Sequence, residues 1–166
     1  MRVSTIALAA TLFGVSLTTS LSGQRPDDQI DPRSLQFLAE GRTLKAAGNF
    51  DGATDALETA VAVDPRNRAA FVLLAEVAEA RGLPGKSIRL YREALLLAPD
   101  DVGALRGQGE ALVAKGAVNQ ARTNLARIRT LCKGTCPDAT RLAATIAKGP
   151  PITTASVEPA TATAMP

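Results

Sequence analysis

The stretch Cys-Lys-Gly-Thr-Cys, Cys132 to Cys136, holds both cysteines of a 166-residue chain that has no histidine. Two thiols this close can be a redox centre, part of a metal site or a disulfide. Pro137 and Asp138 predict a helix start directly after Cys136, and a helix N-terminus acidifies a thiol, which favours redox chemistry. The spacing is CxxxC rather than CxxC, however, and no thioredoxin-like pattern surrounds it. A metal site wants four ligands, and two cysteines without histidine do not supply them. In an oxidising compartment the pair is expected to be a disulfide, whose short ring contributes on the order of 2 kcal/mol. A thiol–disulfide carrier or sensor using Cys132 and Cys136 is the rival reading.

The missing histidine also removes a Ser-His-Asp triad, a Cys-His pair and an HExxH zinc helix. No catalytic residues, metal ligands or cofactor are expected, and the chain reads as a non-enzyme. With 19 Lys+Arg against 16 Asp+Glu the formal charge is +3, spread without basic runs. Aromatic residues make up 3% of the chain, too few for base stacking. Nucleic acid is therefore not an expected partner.

The amino terminus runs MRVSTIALAATLFGVSLTTSLSGQRPDD. One arginine, an uncharged apolar run from Ile6 to Leu17 and then small residues follow the order of a secretory signal. Ser20 and Ser22 suit positions −3 and −1 of a cut before Gly23, so residues 1–22 are read as a signal peptide. The apolar run is short for a membrane span of about 20 residues, and no stable span is expected after cleavage. The periplasm, or full secretion, is the expected destination. Residues 23–30 and the Pro/Thr/Ala-rich segment 149–166 read as disordered.

Between these ends the chain repeats itself at a step of 34. Phe37, Phe71 and Leu105 align, as do Gly41, Ala75 and Gly109, and Gly48, Gly82 and Gly116. So do Ala53, Ser87 and Ala121; Leu57, Tyr91 and Leu125; and Ala60, Ala94 and Ile128. Pro65 and Pro99 close two units, and Lys133 stands in that place in the third. Each unit predicts two helices. In the first, Asp31 caps, Pro32 opens the helix and Gly48 ends it, then Asp51 to Val63 forms the second helix before Asp64-Pro65. The small residues at Gly41, Ala75 and Gly109 lie where helices must cross closely. One such hairpin cannot bury its own apolar face, so units must stack. The repeats span about 34–67, 68–101 and 102–135 of a domain covering 31–148, and helix 137–148 is read as the polar-faced cap, with Leu142 and Ile146 inward.

This pattern resembles the tetratricopeptide repeat family over residues 34 to about 131. Gly41, Gly48, Phe50, Ala53, Ala60 and Pro65 match its small, glycine, aromatic, alanine and proline positions. Unit two departs at Pro84 and Ser87, and unit three at Ile128 and Lys133. The resemblance implies an all-α fold, a right-handed α-α superhelix of helix-turn-helix repeats with a C-terminal capping helix. It also implies a concave groove, lined by the first helices, that holds a protein or peptide partner. Mapped onto this chain, the groove residues are Leu35, Leu38, Arg42 and Lys45, then Ala69, Val72, Glu76 and Glu79, then Gly103, Arg106, Glu110 and Val113. Arg42 with Glu76, and Lys45 with Glu79, are each 34 apart and are expected to pair. Leu38 and Arg42 stand where chaperone-binding members need Lys and Asn, so a carboxylate clamp is not expected. The implied function is that of a non-catalytic scaffold of the cell envelope, and self-association through the apolar Leu35/Leu38 edge is a third reading.

Overall fold

A computed structural model describes residues 29–151. The signal sequence expected over 1–22, and most of the two segments read as disordered, lie outside the described residues. Seven helices follow one another: α1 (Pro32–Ala46), α2 (Phe50–Val63), α3 (Arg68–Ala80), α4 (Pro84–Leu97), α5 (Val102–Ala114), α6 (Val118–Leu131) and α7 (Pro137–Lys148). Among the described residues there is no strand, and no helix is long and apolar enough to cross a membrane. The fold is the all-α helical repeat solenoid that the period implies.

Local chemistry places the helix ends. The Asp31 carboxylate accepts from the Arg33 N–H at 2.8 Å, and Pro32 occupies the first turn. The second helix begins at Phe50, one residue before the expected Asp51, because the Asn49 side chain accepts from the Gly52 N–H at 3.0 Å. Asn67 and Asp101 cap α3 and α5 in the same way. The turn inside each unit needs a left-handed residue, supplied by Gly48, Gly82 and Gly116 at φ 75°, 69° and 83°.

The helices pack as three hairpins, α1 with α2, α3 with α4 and α5 with α6, and α7 closes the stack. The odd-numbered helices also touch one another in sequence, whereas α2, α4 and α6 do not. That asymmetry puts the odd helices on the inner, concave row. Large side chains then fit against backbone that carries no Cβ. A Cβ at Gly41 would lie 2.5 Å from Leu57 Cγ, one at Gly109 would lie 2.6 Å from Leu142 Cδ2, and one at Gly107 would lie 2.3 Å from the Tyr91 ring. Leu57, Leu105, Ile128 and Leu142 are fully buried at these contacts and around them.

Polar ties fix the turn between units one and two. Asp64 accepts from the Asp31 N–H at 2.9 Å and from Arg66 Nε at 3.1 Å, while Arg66 Nη2 donates to the Gln29 carbonyl at 3.1 Å. The Arg66 side chain first, then the main-chain N–H groups of Asp31 and Arg66, hold the Asp64 carboxyl at about 2 despite its burial. Buried Ser34 donates to the Ala60 carbonyl at 2.7 Å and accepts from Asn67 Nδ2 at 2.8 Å. At the other end Cys132 and Cys136 meet at disulfide distance, with Cα atoms 5.9 Å apart. They bracket the turn from α6 into α7 and pack on the core of Leu105, Leu125, Ile128 and Leu142.

Two outcomes follow from this packing. Gly107→Ala, which gains helix propensity of up to about 1 kcal/mol, should nevertheless lower stability by roughly 1–3 kcal/mol through overpacking on Tyr91, read as a lower urea midpoint. The double variant Cys132→Ser/Cys136→Ser should lose up to about 2 kcal/mol, and hydrogen exchange should show that loss concentrated in α7.

Candidate functional site

The odd helices present one row of side chains along the concave face, and the structure sorts the twelve expected lining residues into three kinds. Leu35 is exposed at 46%, and Arg42 is also exposed. Ala69, Val72, Gly103 and the charged residues Lys45, Glu76, Glu79, Arg106 and Glu110 are partly buried along the row. Leu38 and Val113 do not line it. Leu38 is 8% exposed and belongs to the first core with Leu57 and Leu73, because α3 packs directly on α1 at that level. Val113 is 2% exposed, in a core with Leu112 and Ala121 against which α7 places Ile146.

The expected pairing also shifts by one helical turn. Lys45 Nζ meets Glu76, not Glu79, and Arg42 pairs with neither glutamate. Helical side chains lean toward the N-terminus of their helix, so the long lysine reaches the turn below its own Cα level. Further along, Arg106 holds Glu110 at 2.7 Å and Asp138 at 2.8 Å, and Arg141 reaches Glu110 at 3.3 Å. Asp138 and Arg141 belong to α7, so the cap takes part in the groove electrostatics.

Glu79 is different. Among the described residues no lysine or arginine pairs with it. Its Oε2 accepts from the Tyr91 hydroxyl at 3.4 Å, while Oε1 is buried without a hydrogen-bond partner. The fully buried Ser87 hydroxyl faces the carboxylate without closing a well-formed hydrogen bond. Burial is the main cause that pushes the Glu79 carboxyl up to about 7, with repulsion from Glu110 and Glu76 added and the hydroxyls of Ser87 and Tyr91 opposing. Burial likewise raises the Tyr91 phenol, and the Glu79 charge adds to it.

Beside Glu79 a pocket of about 220 Å³ opens between the α3–α4 turn and α5, lined by Glu79, Gly82, Pro84, Glu110, Ala111 and Ala114. A second pocket of about 230 Å³ between α4, α5 and α6 has a floor whose amides are already engaged. There Gln108 donates to the Ile88 carbonyl at 3.4 Å and Asn124 donates to Gln108 at 2.9 Å. Among the described residues no three Cys, Asp or Glu converge to hold a metal ion. Mapping the groove by position alone missed Ser87, Tyr91, Gly82, Pro84 and Ala111. The available signal was that unit two breaks the repeat at Pro84 and Ser87.

The charge of Glu79 sets a pH dependence that the absence of histidine leaves uncluttered. Its folded value lies above its ordinary 4.5, so the folded state binds a proton that the unfolded chain has released. The Glu79 contribution to stability should therefore be fully present below about pH 4.5 and be lost as pH rises through 7. The urea midpoint should be higher at pH 5 than at pH 8, and Glu79→Gln should flatten that difference.

A family model described as tetratricopeptide repeat matches residues 38–95. No curated protein matches the sequence. Among solved structures, the Sgt2 TPR domain from Aspergillus fumigatus superposes with a TM-score of 0.66 at 19% identity, covering 71% of this chain and 79% of that one. The first TPR of Spaghetti (RPAP3), bound to the HSP90 peptide SRMEEVD, gives 0.65 at 19% identity, covering 70% and 91%. The second TPR domain of human RPAP3, in complex with the HSP70 peptide SGPTIEEVD, gives 0.63 at 18%, covering 68% and 94%. At these identities the likeness is one of fold.

Proposed function

We propose that this chain is a tetratricopeptide repeat protein and a non-catalytic interaction module of the cell envelope that holds a peptide or protein segment on its concave row. The observation that carries this is the row itself. The odd helices touch in sequence and align partly exposed apolar and charged side chains along one face, from Leu35 and Arg42 through Glu76 to Arg106. Two structures of the same fold are described as bound to peptides, which supports a peptide as the occupant here. Those peptides end in EEVD. Here Leu38 is buried and two glutamates follow at Glu76 and Glu79, so an acidic chain end is a poor fit and a segment with basic residues a better one.

The envelope location rests on the order of residues 1–22, arginine, apolar run and small residues. A cysteine pair at disulfide distance suits an oxidising compartment.

The test is crosslinking capture from envelope extracts, comparing the native protein with Leu35→Glu/Arg42→Glu, two exposed positions whose replacement leaves the core intact. A periplasmic protein beginning at Gly23 that captures a partner, with the variant folded by circular dichroism but empty, is the expected result. Equal capture by both proteins would remove the concave row as the binding surface.

A further inference from the structure

Four of the positions at which unit two departs from both neighbours meet at one place. Where units one and three have Lys45 and Val113, it has Glu79; where they have Phe50 and Val118, it has Pro84. Where they have Ala53 and Ala121 it has Ser87, and where they have Leu57 and Leu125 it has Tyr91. Glu79 and Pro84 line the 220 Å³ pocket, and Ser87 and Tyr91 turn their hydroxyls toward the Glu79 carboxylate. In unit one Phe50 packs against the core at the place that Pro84 takes here.

Resting on the reading of the concave row as a peptide groove, we propose that this pocket receives one lysine side chain of the bound partner. Gly82, Pro84, Ala111 and Ala114 offer apolar wall to its methylene stem, and Glu79 receives the ammonium. Charge complementarity selects a cation. Glu76 is matched by Lys45, Glu110 by Arg106 and Arg141, and Asp138 by Arg106. Glu79 is matched by no lysine or arginine among the described residues, and its Oε1 has no partner at all. Rotation about the terminal torsion of a glutamate is soft, so that oxygen can turn into the pocket when an ammonium arrives. An ammonium fits better than a guanidinium. A guanidinium carries five N–H donors against the three of an ammonium, and apart from Glu79 the pocket lining offers only Glu110, already held by Arg106 and Arg141, and apolar wall. The groups facing Glu79 are Glu76 on its own helix, Ser87 and Tyr91 on α4, and Glu110 on α5, while Arg106 on α5 acts on Tyr91. An arriving cation relieves the repulsion among these carboxylates, so binding should strengthen as pH rises from 6 to 8 and Glu79 ionises.

The probe is N-acetyl-lysine methylamide, titrated at millimolar concentration into ¹⁵N-labelled protein, with N-acetyl-norleucine methylamide as the uncharged counterpart. The expected result is saturable shifts of the Gly82, Ala111 and Ala114 amides with the lysine compound, stronger at pH 8 than at pH 6. Binding should be at least about tenfold weaker for norleucine, or for lysine in Glu79→Gln, as loss of a charge-assisted hydrogen bond requires. Should Glu79→Gln fail to fold, Ala114→Leu fills the pocket from an exposed position and should abolish the shifts. No shift in the native protein, equal binding of norleucine, or binding retained in either folded variant would overturn the proposal. Partner capture lost in Leu35→Glu/Arg42→Glu, together with no lysine binding, would leave the groove standing and remove only the pocket.

Discussion

The placing of a large side chain against bare backbone is the contact on which this stack depends. Leu57 lies on Gly41, Tyr91 on Gly107 and Leu142 on Gly109, each closer than any added Cβ would allow. A helical hairpin of this length buries too little apolar surface to hold itself together, so it gains its stability from the next hairpin. Removing the Cβ lets helix axes approach until Leu or Tyr fills the interface. The first contact closes a hairpin, the second joins unit two to unit three, and the third seats the cap. With the odd helices drawn together and the even helices kept apart, the array curves and the odd helices become its inner row.

That inner row explains why the charges sit where they do. Side chains stacked along a concave face are close to one another and partly withdrawn from water, so unlike charges pair and like charges are costly. Lys45, Arg106 and Arg141 neutralise Glu76, Glu110 and Asp138. Individually such pairs contribute about 0–1 kcal/mol. Their larger effect is to leave Glu79 as a partly buried carboxylate with hydroxyls around it and, among the described residues, no paired cation. An isolated carboxylate is unfavourable to bury. Its presence at the position where the other units carry Lys45 and Val113 therefore works against the stability of the fold. A group that costs folding energy and borders an open pocket is better explained by what it binds than by what it supports.

Much of the fold was legible in the sequence because its causes are local and repeated. A left-handed turn demands Gly48, Gly82 and Gly116, close crossings demand small residues, and both recur at one step that no chance composition keeps. The groove was less legible because its residues are decided by neighbours. Leu38 and Val113 occupy lining positions of the repeat, yet α3 buries the one and the cap helps to enclose the other. The shift from Lys45–Glu79 to Lys45–Glu76 comes from side-chain lean, which equal spacing does not encode. The pocket was written in the departures at Pro84 and Ser87, and their meaning needed Glu79 and Tyr91 brought beside them in space.

The two ends of the array solve one problem by different means. The turn after unit one is held from both sides: Asp64 binds the Asp31 N–H at the start of α1, Arg66 binds the Gln29 carbonyl just before it, and Asn67 joins Ser34 to the next unit. Arg68, at the start of α3, pairs in turn with Asp101 at the start of α5. Carried forward by two repeats, the places of Asp64 and Arg68 are Cys132 and Cys136. At that turn no further complete unit stands among the described residues to supply a partner for an ionic tie, and the pair of cysteines ties the turn to itself. Ala143 on α7 continues the small-residue series of Gly41, Ala75 and Gly109, so the cap is the first helix of a further unit whose second helix is absent from the described residues. A helix of that kind has half the usual packing. A short covalent ring that limits the freedom of its unfolded state, with Arg106 and Glu110 reaching across to Asp138 and Arg141, replaces part of what a complete hairpin would have contributed.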